Sequence, residues 1–134
     1  MIRDDMLIKS QAIVGMPVTD SDGHKLGTIR EVFLDQRTGI VRFAALETGG
    51  LFGGGGKFHP VPWRLLRFDD KGEAVIASFG RDRLKEAPSY DRDQLNSPHY
   101  GWGAQTLRHF EADGAPLQRD LDDDDEDRRP SPQA

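Results

Sequence analysis

Apolar positions between residues 7 and 80 come in short runs broken by polar turns. The clearest runs are LGTIREVFLD (26–35), IVRFAALET (40–48), HPVPW (59–63) and EAVIASF (73–79). All are rich in β-branched and aromatic residues, which suit a pleated, half-buried surface. Between them lie SDG (21–23), RTG (37–39) and DDKG (69–72), where aspartate carboxylates bond nearby backbone and glycine supplies positive φ. Gly39 in particular sits where a left-handed residue is wanted. A strand and a turn about every ten residues predict a compact all-β barrel or sandwich.

Two irregularities refine that picture. In 26–35 a strict alternation puts Ile29 and Phe33 on one face and Val32 and Leu34 on the other. Either a bulge shifts the phase or both faces are partly covered. Covered outer faces would imply a partner, a tail packing back, or self-association. In HPVPW, Pro60 and Pro62 lie two apart, so their missing N–H groups fall on one side of the strand. That predicts an edge or a barrel seam, with Val61 and Trp63 sharing the inner face.

Beyond Gly80 the pattern changes. RDRLKEA is expected to form one or two helical turns that end before Pro88. APSYDRDQLNSPHYGWG (87–103) is polar but carries Tyr90, Tyr100 and Trp102, so it is expected to pack on its own barrel or on a partner. TLRHF (106–110) predicts a short helix with Leu107 and Phe110 on one side. Three segments result: a barrel over 1–86, an aromatic-containing extension over 87–112 and an acidic tail over 113–134. The tail combines a like-charge run with prolines and little apolar surface. It is expected to be disordered, because it cannot offset its ordering entropy.

Charge follows this division. Residues 1–90 hold 13 Lys and Arg against 12 Asp and Glu, whereas residues 91–134 hold 5 against 11. The net charge of −5 therefore belongs to the C-terminal third. A near-neutral barrel lacks the clustered cations that duplex nucleic acid requires, so no direct nucleic-acid contact is expected. There is no cysteine, so neither a disulfide framework nor a thiolate metal site is available. No secretory signal opens the chain, and no apolar run approaches the ~20 residues of a membrane span. The expectation is a soluble, cytoplasmic protein without membrane insertion.

The candidate chemistry thins out on inspection. GGLFGGGGKF (49–58) suggests a phosphate loop, but a G-x-x-x-x-G-K-[ST] frame set on Gly56 and Lys57 finds Leu51 at the first glycine and Phe58 at the hydroxyl position. A dinucleotide fingerprint would need a helix to follow, and a proline-containing strand follows instead. The stretch is a connection between strands, whose Leu51 and Phe52 either fold over the barrel end or project into a partner. TDSDGHKLG (19–27) fails as a calcium loop, since Val18 and Ile29 stand where carboxylates are needed. The four histidines, His24, His59, His99 and His109, lack metal-ligand spacing. No serine sits in a nucleophile turn, and no cofactor, metal or catalytic constellation is expected. The six consecutive acids of Asp122–Asp127 either keep the chain soluble, dock on a basic surface, or shield the protein's own partner site.

Taken in order, the Gly15 stop, V-x-D-x-D-G at 18–23, Leu26–Gly27, Val32–Leu34–Asp35, the Thr38–Gly39 turn and V-P-W at 61–63 resemble the PRC-barrel family. LKEAPSYDRDQ looks like the segment that follows the barrel in bacterial stand-alone members. The resemblance implies a small, strongly bent β-barrel of about six strands used for protein contacts, with no catalytic residues to transfer. Family members include the cytoplasmic domain of the reaction-centre H subunit and the C-terminal domain of a ribosome-maturation factor. This sequence shows neither a membrane span nor a separate domain ahead of the barrel, so the resemblance names no partner.

The resulting expectation is a non-enzymatic protein–protein interaction or adaptor module that self-associates as a homodimer and meets an unidentified protein partner. Leu51, Phe52, Phe58, Tyr90, Tyr100 and Trp102 are the candidate contact residues, since apolar and aromatic anchors dominate interfaces. Ordinary core packing is the alternative for each. The other functional readings are a ribosome-assembly factor that contacts a basic ribosomal protein and, least favoured, an enzyme.

Overall fold

A computed structural model describes residues 7–49, 56–97 and 100–111. After one helical turn, α1 (Ser10–Ile13), come β1 (Pro17–Thr19), β2 (Lys25–Leu34), β3 (Val41–Glu47) and β4 (Phe58–Pro62). A 3-10 turn (Trp63–Leu65) leads into β5 (Leu66–Phe68) and β6 (Val75–Ala77). Three helices follow: α2 (Arg81–Glu86), α3 (Arg92–Leu95) and α4 (Trp102–Glu111). The strands form one curled six-stranded sheet in the order β4-β3-β2-β1-β6-β5. All pairings are antiparallel except β1 with β6. This is the small bent β-barrel expected, open along one side; of the helices after it, α2 and the end of α4 were foreseen, while α3 and the start of α4 were not.

The turns are built as their residues dictate. Asp20 Oδ1 accepts the amides of Asp22 and His24 at 2.9 Å, which closes the β1–β2 turn through Gly23 at φ +91°. Asp35 Oδ1 accepts the Arg37 amide at 2.8 Å, and Gly39 adopts φ +77° before β3 begins.

The uneven pattern in β2 has a specific cause. Ile29 faces Leu46 across the ladder, but Glu31 faces Ala45, so Arg30 is an extra residue and the phase flips there. Ile29 and Val32 consequently point to the inner core, while Phe33 points outward. Strict alternation had put Ile29 and Phe33 on one face. The bulge reverses that, and both faces prove to be covered as well.

The inner core gathers Val18, Leu26, Ile29, Leu46, Val61, Val75, Leu84 and Phe110. Burying such side chains contributes about 1.5–3 kcal/mol each. The outer cluster joins Ala45, Phe58, Leu95 and Trp102, flanked by Phe33, Phe43 and Tyr90. Three consecutive residues of β3, Ala44, Ala45 and Leu46, are fully buried because the strand is covered on both faces.

β4 is an edge strand, as its prolines require. Phe58 exchanges backbone hydrogen bonds with Tyr90, 2.8 Å and 2.9 Å, on the side away from β3. Pro60 and Pro62 share the parity of Phe58, so their ring nitrogens lie along that same outer edge. The edge is thus bridged at one residue and donor-free at the next two outward positions.

A hollow between β3, β4 and α4

An apolar concavity lies where β3 begins and β4 ends. Its volume is about 310 Å³, and its walls include Ile40, Val41, Phe43, Pro62, Trp63 and Leu107. Each contributor has a local reason to be there. Ile40 and Val41 leave the Asp35–Gly39 turn, and Pro62 ends the extended run. The chain then tightens into a 3-10 turn that leaves Trp63 partly buried against the margin of the inner core. The Trp63 ring meets Phe68 edge-on at 5.9 Å. Leu107 arrives from α4, whose Phe110 is sunk in the inner core against Phe79 at 5.1 Å.

Arg42 and Arg64 also border the hollow, and among the described residues no carboxylate lines it. Asp35 sits nearby and shares itself between Arg42 at 3.5 Å and Arg37 at 4.0 Å. Burial pushes the Asp35 carboxyl up, but the Arg37 and Thr38 amides and the two guanidiniums outweigh this and hold it below its ordinary value.

Phe58 is 2% exposed and Trp102 5% exposed, so both side chains are used within the chain's own outer cluster. Trp102 meets Phe33 at 5.0 Å and Phe43 at 5.2 Å edge-on, and its indole N–H donates to the Leu95 carbonyl at 2.8 Å. The Arg92 guanidinium stands 5.1 Å over the Phe58 ring. Tyr90 is partly buried, its hydroxyl donates to Gln105 Oε1, and burial raises its phenol pKa. Tyr100 is 51% exposed and packs on Phe33 at 5.4 Å. Its φ of +45° is a left-handed conformation that costs a non-glycine residue about 1–2 kcal/mol. Leu51 and Phe52 lie outside the described residues.

Of the remaining groups, His59 is buried at 5% exposure between β4 and the α2–α3 connection. Desolvation lowers its pKa; ring hydrogen bonds to the backbone at Pro88 and Ala87 oppose the shift, and His109 adds to it. Nε2 of His109 lies 3.1 Å from the Arg83 carbonyl oxygen. These contacts tie the sheet to the helices. Asp20, Asp22 and His24 bring ligand-type atoms within 4.8 Å of one another. The Asp20 carboxylate is already engaged by two amides and the His24 ring, so the cluster is a turn.

Sequence reasoning singled out Trp63 as an inner-face residue but not the hollow, whose walls come from three separate segments. The only usable signal was Leu107 with Phe110 on one helical face.

A sequence model described as the PRC-barrel domain matches residues 7–84. A protein of Deinococcus radiodurans, described only as uncharacterized, is 32% identical over 84 residues. The matched stretch is 63% of this chain and 30% of that protein, so the chain spans less than a third of its relative's length. No helix among the described residues is long and apolar enough to cross a membrane.

Proposed function

Because the chain belongs to the PRC-barrel family, we propose that it is a non-enzymatic protein-interaction module, working in the cytoplasm, that docks a protein partner through the hollow and self-associates as a homodimer. The hollow carries this reading. It offers an indole, a proline ring and aliphatic side chains in one concavity with arginines at the rim, and tryptophan and arginine are among the residue types that concentrate binding energy at interfaces. Backbone pairing along β4 is not the route, since that edge is bridged at Phe58 and carries prolines at its next two outward positions. Tyr100 and Leu34, 51% and 56% exposed, are the apolar groups a second copy would cover.

The test is retention of proteins by the tagged full chain after nuclease treatment, with identification by mass spectrometry, repeated with Ile40→Asp. Ile40 is only partly buried and lies at the mouth of the hollow, so the fold tolerates the change while the surface does not. A protein retained reproducibly by the native chain should be lost with Ile40→Asp. Equal retention by both would remove the hollow as the docking surface.

A further inference from the structure

We infer that a second copy of this chain fills the hollow: Leu34 of each protomer seats in the hollow of the other about a two-fold axis, so that self-association and docking of another protein exclude one another. The inference rests on the reading of the hollow as a docking surface and of Leu34 as a self-association residue. It adds that the two are one interface.

Position is the first support. Leu34 ends β2 and is the cross-strand neighbour of Val41 in β3. Such neighbours project from the same face of a sheet with Cβ atoms about 5 Å apart, and Val41 lines the hollow. Phe33, the preceding residue, goes to the outer cluster, so alternation sends Leu34 to the opposite face. Leu34 is 56% exposed and is not itself a wall of the hollow. Held in the ladder, it stands beside its own hollow as a knob and cannot fold into it.

Symmetry and fit are the second. In an isologous dimer every contact occurs twice, so the surface must be self-complementary. A knob next to its hole meets that need, because the axis passes between them and both contacts form within one patch. A knob remote from its hole would instead build head-to-tail chains. The hollow measures about 310 Å³, against ~150 Å³ for an apolar cavity that takes up a benzene-sized group. A leucine side chain and the strand end that carries it therefore fit. The walls Ile40, Val41, Phe43, Trp63 and Leu107 are all half-buried and lose further exposure to the incoming leucine. Asp35, next in the chain, brings no carboxylate in need of a new partner, since it already accepts the Arg37 amide at 2.8 Å and the Arg42 guanidinium at 3.5 Å. Apolar contact then dominates, and association should depend little on salt.

The consequence is a hollow gated by concentration. When total protein is about tenfold above the dimer Kd, only about a fifth of the hollows are open, and the apparent affinity of any other protein for the hollow falls about fivefold. The dimer is the closed form and the monomer is the one that docks.

Two variants of the full chain test this by complementation. Leu34→Ser removes the knob and keeps the hollow, whereas Ile40→Asp spoils the hollow and keeps the knob. In sedimentation equilibrium each variant alone should self-associate at least about tenfold more weakly than the native chain. Their equimolar mixture should associate about tenfold more tightly than either alone, because the heterodimer regains one native contact. That rescue also shows both variants to be folded. Trp63 gives a second readout: on dilution of the native chain its emission should move to longer wavelength as the hollow opens. Leu34→Ser should show the longer wavelength at every concentration. The other tryptophan, Trp102, is 5% exposed and stays constant. A native chain that is monomeric at high concentration, a mixture no tighter than its components, or an emission indifferent to dilution would overturn the inference. Should one of these occur while Ile40→Asp still loses a protein that the native chain retains, this inference falls and the hollow stands as a docking surface. Rescue in the mixture with equal retention by Ile40→Asp means the reverse, a hollow that serves self-association alone.

Discussion

A Cβ built on Gly27 would stand 2.8 Å from the carbonyl oxygen of Glu47, an atom of the neighbouring strand backbone that cannot step aside. Gly27→Ala should therefore push β2 from β3 and cost about 1–3 kcal/mol, the usual range for overpacking. Urea unfolding at fixed temperature measures it, and an unchanged midpoint would show that the ladder gives way freely. His59 makes a prediction of another kind. Burial holds its folded pKa below the ordinary value of 6.5, so the unfolded chain binds the proton more readily. Stability is then complete above the unfolded pKa and falls as pH drops through and below it. Unfolding free energies at pH ~7.5 and ~5.5 should differ in the native chain and converge in His59→Gln. Equal slopes in the two proteins would mean that the ring's pKa does not change on folding.

Among the elements, β4 and the helical extension explain each other. The paired prolines were legible as an edge because a missing N–H is a local property of two residues. What lies beyond the edge was not: Tyr90 bridges Phe58, Asp91 and Gln94 cap α3 reciprocally, and Trp102 closes over Phe33 and Phe43. The aromatic content of residues 87–103 signalled packing without saying on what. Trp102→Ala should remove the centre of the outer cluster at a cost of about 3–5 kcal/mol. Hydrogen exchange should then accelerate most in α3 and α4 and least in β2 and β3, which keep the inner core. Uniform acceleration across the chain would mean that the extension and the sheet unfold as one unit. In β2, only pairing with β3 exposes Arg30 as the extra residue, because a bulge is a property of two strands.

Over the whole molecule, the sheet is covered on its inner face by the barrel core and on part of its outer face by the extension. What stays exposed among the large apolar residues of this end is Leu34 and Tyr100. If these groups are covered by a second copy, Leu34→Asp combined with Tyr100→Asp should convert a dimer into a monomer in size-exclusion chromatography with light scattering. The circular dichroism spectrum should not change, since neither side chain belongs to a buried cluster. A native chain that is monomeric at high concentration, or a double variant that remains dimeric, would remove this surface from the proposed homodimer.

Local chemistry by itself determined the strand class, the turns at Asp20–His24 and Asp35–Gly39, the edge marked by Pro60 and Pro62, and the helices over α2 and the end of α4. Each depends on a few adjacent residues whose φ, hydrogen-bonding capacity or apolar spacing is set before any long-range contact forms. The tertiary structure alone decided which face each side chain of β2 occupies, that Phe58 and Trp102 are spent inside the chain, and that Ile40, Trp63 and Leu107 meet in one hollow. Those outcomes require segments tens of residues apart to be brought together. The free energy that brings them together is the burial of apolar surface, which is non-directional and carries no local signature.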